Sequence, residues 1–128
     1  MKKIINSPKA PAPIGPYSQA ILSGNTLYIS GQIPIDASTG KLVEGSIELE
    51  TEQVMKNISY ILEEAGLTFN DVLKCSIFVS DMNNFSKVNS IYAHYFKENS
   101  PARETVEVSG LPKGVNIEIS CIADSPLK

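Results

Sequence analysis

A chain of 128 residues with 42% apolar and 20% charged side chains is composed like one globular domain with a core of its own, so residues 1–128 are read as a single domain. A net charge of −3, a sequence pI near 5.1 and no basic cluster longer than two adjacent residues argue against nucleic-acid binding, which leaves a basic footprint. No apolar run approaches the roughly 20 residues of a membrane span, and none follows Lys2-Lys3 as a signal segment requires, so the expected location is cytoplasmic.

Residues 1–16 hold Pro8, Pro11, Pro13 and Pro16, a spacing that forbids a helix. The expectation is an extended loop after a short strand at residues 3–6. Two short strands, residues 20–22 and 26–30, flank the turn residues Ser23-Gly24-Asn25 and read as a hairpin. Gly31 ends the second strand, either as a plain strand end or bulge or as a point where backbone approaches a ligand. Residues 36–45 read as a loop. From about residue 49 to 65, Val54, Met55, Ile58, Ile61, Leu62 and Ala65 recur at helical spacing. Gly66 stands where a left-handed cap belongs. Glu48, Glu50 and Glu52 suit the start of that helix electrostatically and are read as solvated. Val72–Val79 alternates as a strand, with Leu73, Cys75, Ile77 and Val79 on one side. Asp81-Met82-Asn83-Asn84 reads as the cap of a second helix running to about residue 97. Its core stripe is Phe85, Val88, Ile91, Tyr92, Tyr95 and Phe96. Residues 124–128 read as a tail.

Residues 101–108 and 115–123 both alternate with period two, and the six residues between them suggest a β-hairpin. Val115, Ile117, Ile119, Cys121 and Ala123 make one apolar face, with Asn116, Glu118 and Ser120 opposite. If Val108 faces Val115, then Thr105 faces Glu118 and Arg103 is its diagonal neighbour. One polar face would then carry a guanidinium, a carboxylate and a hydroxyl. A guanidinium grips a carboxylate with two parallel hydrogen bonds, and a neighbouring carboxylate can orient or deprotonate a water. Such a face suits a small anionic substrate attacked by water. It equally suits a cross-strand salt bridge on a wet sheet, which is the commoner arrangement.

The element order is strands, helix, strand, helix, strands. It implies a crossover that puts both helices on one face of the sheet. The other face, including Val72, Phe78 and Ile122, is then left for water or another subunit, and oligomerisation is expected there. Cys75 and Cys121 fall on apolar strand faces and read as buried free thiols. His94 is the single histidine and reads as a surface residue. No Cys/His spacing of the kind zinc needs is present.

Several motifs in fixed order resemble the RidA family, also called YjgF/YER057c/UK114. They are Ala12-Pro13-Ile14-Gly15-Pro16-Tyr17-Ser18-Gln19-Ala20, Leu27-Tyr28-Ile29-Ser30-Gly31-Gln32-Ile33-Pro34, Pro101-Ala102-Arg103 and Ile117-Glu118-Ile119. The likeness covers nearly the whole chain. It implies an α+β fold like that of bacillary chorismate mutase, a mixed β-sheet with two helices on one face, assembled as a homotrimer with ligand clefts between subunits. It implies hydrolysis of 2-imino acids such as 2-iminobutanoate and 2-iminopropanoate to 2-oxo acids and ammonia, with no cofactor or metal. By the same resemblance Arg103 holds the substrate carboxylate and Glu118 is associated with the water. Tyr17 lies at the cleft, Gly31 gives a backbone contact, and Asn84 and Phe85 line the cleft. Thr105 stands where many members have cysteine, so a thiol role there is lost. Glu104 replaces a smaller residue and is expected to point to the opposite surface. Two other classes stay open: a ribonuclease or translation inhibitor, and a non-catalytic 2-oxo-acid binder or chaperone-like trimer.

Overall fold

Strands β1 (Lys2–Ile5), β2 (Ala20–Ser23), β3 (Thr26–Gln32), β8 (Ile117–Asp124), β6 (Val72–Val79) and β7 (Ala102–Glu107) lie side by side in that order in one sheet. Every neighbouring pair is antiparallel except β6 and β7, which are parallel. The fold is thus α+β with a mixed sheet. This computed structural model describes residues 1–124. Asp124 closes β8, and the rest of the expected tail lies outside the described residues.

The anticipated hairpin of residues 101–108 with 115–123 does not form. The strand β8 inserts between β3 and β6, and β7 lies on the far side of β6. Both runs alternate as read, but alternation says which side chains share a face and not which strand is the neighbour. The parallel pairing of β6 with β7 requires a crossover, and helix α2 (Phe85–Tyr92) lies in that connection. The tightest burial explains the central place of β8. Ile117, Ile119 and Ala123 have no exposed surface and Cys121 almost none, all against one helix-covered core. A strand so apolar on one face is best placed where neighbours on both sides complete its backbone hydrogen bonds.

Helix α1 (Ile47–Glu64) starts two residues earlier than the apolar stripe implies, because Ser46 caps it: its hydroxyl accepts the Leu49 N–H at 3.1 Å. Gly66 takes φ +76° just past the end, as expected of a left-handed cap. Val54, Met55, Ile58, Ile61 and Leu62 are buried as the stripe predicts. Glu50 is not solvated. It is 6% exposed and accepts from the backbone N–H (3.1 Å) and side-chain amide (2.7 Å) of Asn116, tying α1 to the start of β8. Glu52 accepts the Tyr95 hydroxyl. The second helix is shorter than expected: Asp81 caps a 3-10 turn at Met82–Asn84, and α2 then ends at Tyr92.

Two further departures come from backbone irregularity. The stretch expected as a loop over residues 36–45 is partly taken into a small separate hairpin of β4 (Ile35–Asp36) and β5 (Lys41–Leu42). A register shift between Val72 and Lys74 moves one residue across the sheet. Val72, expected on the open face, is therefore buried, and Leu73, expected in the core, is 53% exposed. Phe78 and Ile122 do lie on the open face, each half-buried.

The proline-rich loop is held by one amide. The Gln19 carbonyl accepts the Ser7 N–H at 2.7 Å, and its nitrogen donates to the carbonyls of Ser7 (3.1 Å), Ala10 (3.3 Å) and Pro11 (3.0 Å). Gln19 is buried, so each of these groups loses water without it. Gln19→Ala should lower unfolding free energy by about 3 kcal/mol at fixed protein concentration, since unsatisfied buried groups cost about 1–3 kcal/mol each. Denaturant titration that finds parental stability would show that the loop is held by something else.

Candidate active site

Directly opposed residues in neighbouring strands project from the same face of a sheet. Arg103 opposes Cys75, which opposes Cys121, so Arg103 points to the helix side. Its Nη1 donates to Asn89 Oδ1 at 2.7 Å. Its guanidinium carbon lies 5.0 Å from the Tyr92 ring centre and 5.6 Å from that of Phe85, within the range of cation–π attraction. Among the described residues no carboxylate lies within 4.0 Å of it, the ion pairs being Lys9–Glu63 and Lys74–Glu104. The guanidinium is therefore positioned but not neutralised. It lines a cleft of about 300 Å³ with Asn89, Tyr92, Phe96, Ser100 and Pro101. Planar, fixed and electrically unpaired, it is built to take an anion.

Glu118 opposes Phe78, and Phe78 opposes Val106. All three lie on the open face, away from Arg103. The Glu118 carboxylate rests on the backbone of Gly31, where β3 shifts register between Ile29 and Gln32. A Cβ at Gly31 would sit inside that carboxylate, 2.7 Å from Cδ. Gly31 does not end β3 but lies in this irregular stretch, as the bulge reading has it, and the group it makes room for is the chain's own acid. Glu118, Gly31, Tyr17, Ser30, Ile14, Ile33 and Pro112 line a second cleft of about 280 Å³. Tyr17 is held there because its hydroxyl accepts the Ile14 N–H at 3.2 Å, and Ser30 pins the adjoining loop by donating to the Ser18 carbonyl at 2.6 Å. Burial pushes the Glu118 carboxyl above its ordinary value of 4.5. It has no ion-pair partner among the described residues. An unpaired, partly desolvated acid in a cleft is suited to moving a proton.

The sequence-derived candidates thus divide into two groups. Arg103 and Phe85 stand together on the helix side. Tyr17, Gly31 and Glu118 stand together on the open side. The expected polar face shared by Arg103, Thr105 and Glu118 is not formed, because β8 is not the neighbour of β7. Thr105 is two residues along from Arg103 on the helix side, and its hydroxyl is buried without a hydrogen-bond partner. Asn84 belongs to neither group: it borders a separate polar cleft with Glu48, Asp81 and Lys87. Glu104 does point to the opposite surface, where it pairs with Lys74 at 3.2 Å and accepts the Ser76 hydroxyl. The residue missed is Asn89. Phe85, Asn89 and Tyr92 recur at helical i, i+4, i+7 spacing, so a polar residue inside that aromatic stripe was the available signal. Tyr92, read as packing alone, is both core and platform for the guanidinium. Among the described residues no three His, Cys, Asp or Glu side chains converge as a metal site requires, and no helix is long and apolar enough to cross a membrane.

The family model described as Endoribonuclease L-PSP matches residues 7–125. A crystal structure from Yersinia pestis, described as a protein of the conserved Rid family, superposes with a TM-score of 0.95 at 54% identity, covering 97% of this chain and 99% of that one. The chain belongs to the RidA (YjgF) family. A RutC family protein of Pyrococcus horikoshii is 57% identical over 123 residues, 96% of this chain and 98% of the relative. The human protein named 2-iminobutanoate/2-iminopropanoate deaminase is 48% identical over 123 residues, 96% of this chain and 90% of its own.

The Gly31–Glu118 contact in this RidA-family chain gives a direct prediction. Carbon-detected NMR titration should place the Glu118 carboxyl above 4.5. Gly31→Ala should return it towards 4.5 while the fold is kept, because the displaced carboxylate moves into water. An unchanged titration in that variant would mean that the carboxylate does not need the glycine.

Proposed function

We propose that this protein hydrolyses small 2-imino acids, such as 2-iminobutanoate and 2-iminopropanoate, to 2-oxo acids and ammonia. We propose further that it does so as a homotrimer in clefts between subunits. The observation that carries the reading is the pair of complementary, unpaired groups: Arg103 without a carboxylate, and Glu118 without a cation. The human relative's name agrees with it.

A 2-imino acid has its carboxylate and its electrophilic carbon one bond apart. One such molecule must touch the anion-binding and proton-moving groups together. In one chain these groups project from opposite faces of the sheet, so no small molecule spans them. A second copy must supply the other half. The open face is suited to that contact: Ile4, Tyr28 and Val106 are exposed there, with Tyr28 at 49%. Ile21, Phe78 and Ile122 lie between them. Stacking that surface against another copy buries the apolar residues and brings the Glu118 cleft of one chain to the Arg103 edge of its neighbour.

In the reaction Arg103 holds the substrate carboxylate with its free N–H groups while Asn89 and Tyr92 fix the guanidinium plane. Glu118 accepts a proton from a water that attacks C2 of the protonated imine. The resulting carbinolamine carries hydroxyl and amine on one carbon. Glu118 returns the proton to the amine and then accepts the hydroxyl proton as the C–N bond breaks, so ammonia leaves, the 2-oxo acid remains, and Glu118 gives that proton to solvent. Positioned proton transfer of this kind supplies about 10²–10⁴ in rate. The reading agrees with a cytoplasmic setting, in which Cys75 and Cys121 stay reduced.

The direct assay generates imines with an amino-acid oxidase and follows ammonia release. The protein should accelerate that release, and failure to do so with retained 2-oxo-acid binding would make it a non-catalytic binder. Arg103→Lys should lower kcat/KM by about 10- to 100-fold, the loss of one charge-assisted hydrogen bond. The basic form of Glu118 is the active one, so the acid limb of the pH–kcat profile should lie above 4.5 and vanish in Glu118→Gln. A limb that persists there would assign it to another group. The family description also raises RNA cleavage. An acidic chain with no basic cluster counts against it, and cleavage by purified protein that is lost in Arg103→Ala would establish it.

A further inference from the structure

Beneath the Arg103 platform lies a pair of thiols that the proposed reaction does not use. Cys75 and Cys121 are direct cross-strand partners in β6 and β8, their sulfurs are 3.4 Å apart, and both are buried and unbonded. Directly opposed antiparallel residues have Cα atoms about 4.5 or 5.5 Å apart, according to which kind of pair they form. Both values fall inside the 4.4–6.8 Å span that a disulfide accepts. The pair is therefore set for a bond that the backbone need not move far to make.

A second observation points the same way. The Tyr92 hydroxyl is buried, and the polar group that bears on it is the weakly accepting sulfur of Cys75. A buried hydroxyl left with a sulfur for its acceptor calls for a reason, a redox role being one. Arg103 opposes Cys75 in the sheet while resting on the Tyr92 ring. An oxygen added to Cys75 would give that hydroxyl a stronger acceptor and would face a positive charge.

We propose that Cys75 and Cys121 form a redox site, oxidised by hydroperoxides through a Cys75 sulfenic acid to a disulfide that displaces the Tyr92–Arg103 platform. The displacement acts on the substrate anchor, so this half of the inference rests on the reading of Arg103 given above. The chemistry balances as follows. The Cys75 thiolate attacks the peroxide, forming S–O and breaking O–O, and hydroxide leaves. The Cys121 sulfur then attacks the Cys75 sulfur, forming S–S and breaking S–O, and water leaves with the Cys121 proton. The two thiols lose two electrons and the peroxide gains them. Contact with Cys121, then the Tyr92 hydroxyl and the positive Arg103, lowers the Cys75 thiol against the opposing effect of burial, while contact with Cys75 and burial push Cys121 up. Because Cys75 is the thiol that opposes Arg103 in the sheet, it is the attacking sulfur and Cys121 the resolving one. Joining the sulfurs closes their gap from 3.4 Å to about 2.05 Å, which draws Cys75 out from under the Tyr92 hydroxyl. A dithiol reductant restores the resting state.

The test treats the purified intact protein with hydrogen peroxide, then unfolds and alkylates it for mass analysis. The expected product has lost two hydrogens and resists alkylation at both cysteines, and dithiothreitol reverses it. In Cys121→Ala, Cys75 should instead be captured by a dimedone probe. The Arg103 side-chain N–H resonance should move on oxidation of the parent, and kcat/KM for imine hydrolysis should fall by about 10²-fold, as for an ångström-scale misplacement of a binding group. Cys121→Ala should keep its activity through the same treatment. Two freely alkylated cysteines after peroxide, or an Arg103 resonance that ignores the disulfide, would overturn the proposal. A disulfide with a shifted Arg103 resonance in a protein that never hydrolyses imines would uphold the redox site and sink the deaminase reading alone.

Discussion

The pleat of the sheet is the constraint on which the rest of this structure depends. Successive residues of a strand leave the backbone on opposite sides. Burial of Ile117, Ile119, Cys121 and Ala123 under α1 therefore fixes Glu118 on the far side. The strand β7 is tied through β6 to the same register, which sends Arg103 under the helices. One register slip in β8 would exchange the core for the acid. The strong apolar row prevents it, and so sets the direction of both charged groups.

Each half of the proposed site is prepared in a different way. On the helix side, aromatic faces and one amide oxygen hold the cation in a plane, leaving its charge unspent. On the open side, a glycine in an irregular stretch of β3 leaves space for a carboxylate that nothing neutralises. Burial raises the proton affinity of that acid, while the loop carrying Tyr17 is locked by Gln19 and Ser30. Rigid supports of this kind cost stability locally and are what a binding site for a very small molecule needs, since a small ligand offers few contacts of its own.

Much of this was legible from residues alone. The stripe of α1, its cap at Gly66 and the apolar row of β8 follow from period and turn chemistry, which are local properties. Strand partnership is not local. Both β7 and β8 alternate, and six residues between them suit a hairpin, yet the parallel seat beside β6 wins. The register shift that exchanges Val72 and Leu73 leaves no mark in composition. Glu50 looks like any acid at a helix start until Asn116 is brought against it. Arg103, Thr105, Glu118 and Gly31 stand out in the strand pattern, while Tyr17, Asn84 and Phe85 enter only through the family resemblance, and how these candidates divide between two faces required the sheet order.

The central claim is that one working site takes its cation and its acid from different chains. Mixing Arg103→Ala with Glu118→Gln subunits, unfolded together and refolded, tests it most directly. Each variant alone should be nearly inactive, and the mixture should recover a substantial fraction of parental imine hydrolysis, because some clefts then join an intact Arg103 to an intact Glu118. A mixture as inactive as its two components, in assemblies shown to contain both, would contradict the account.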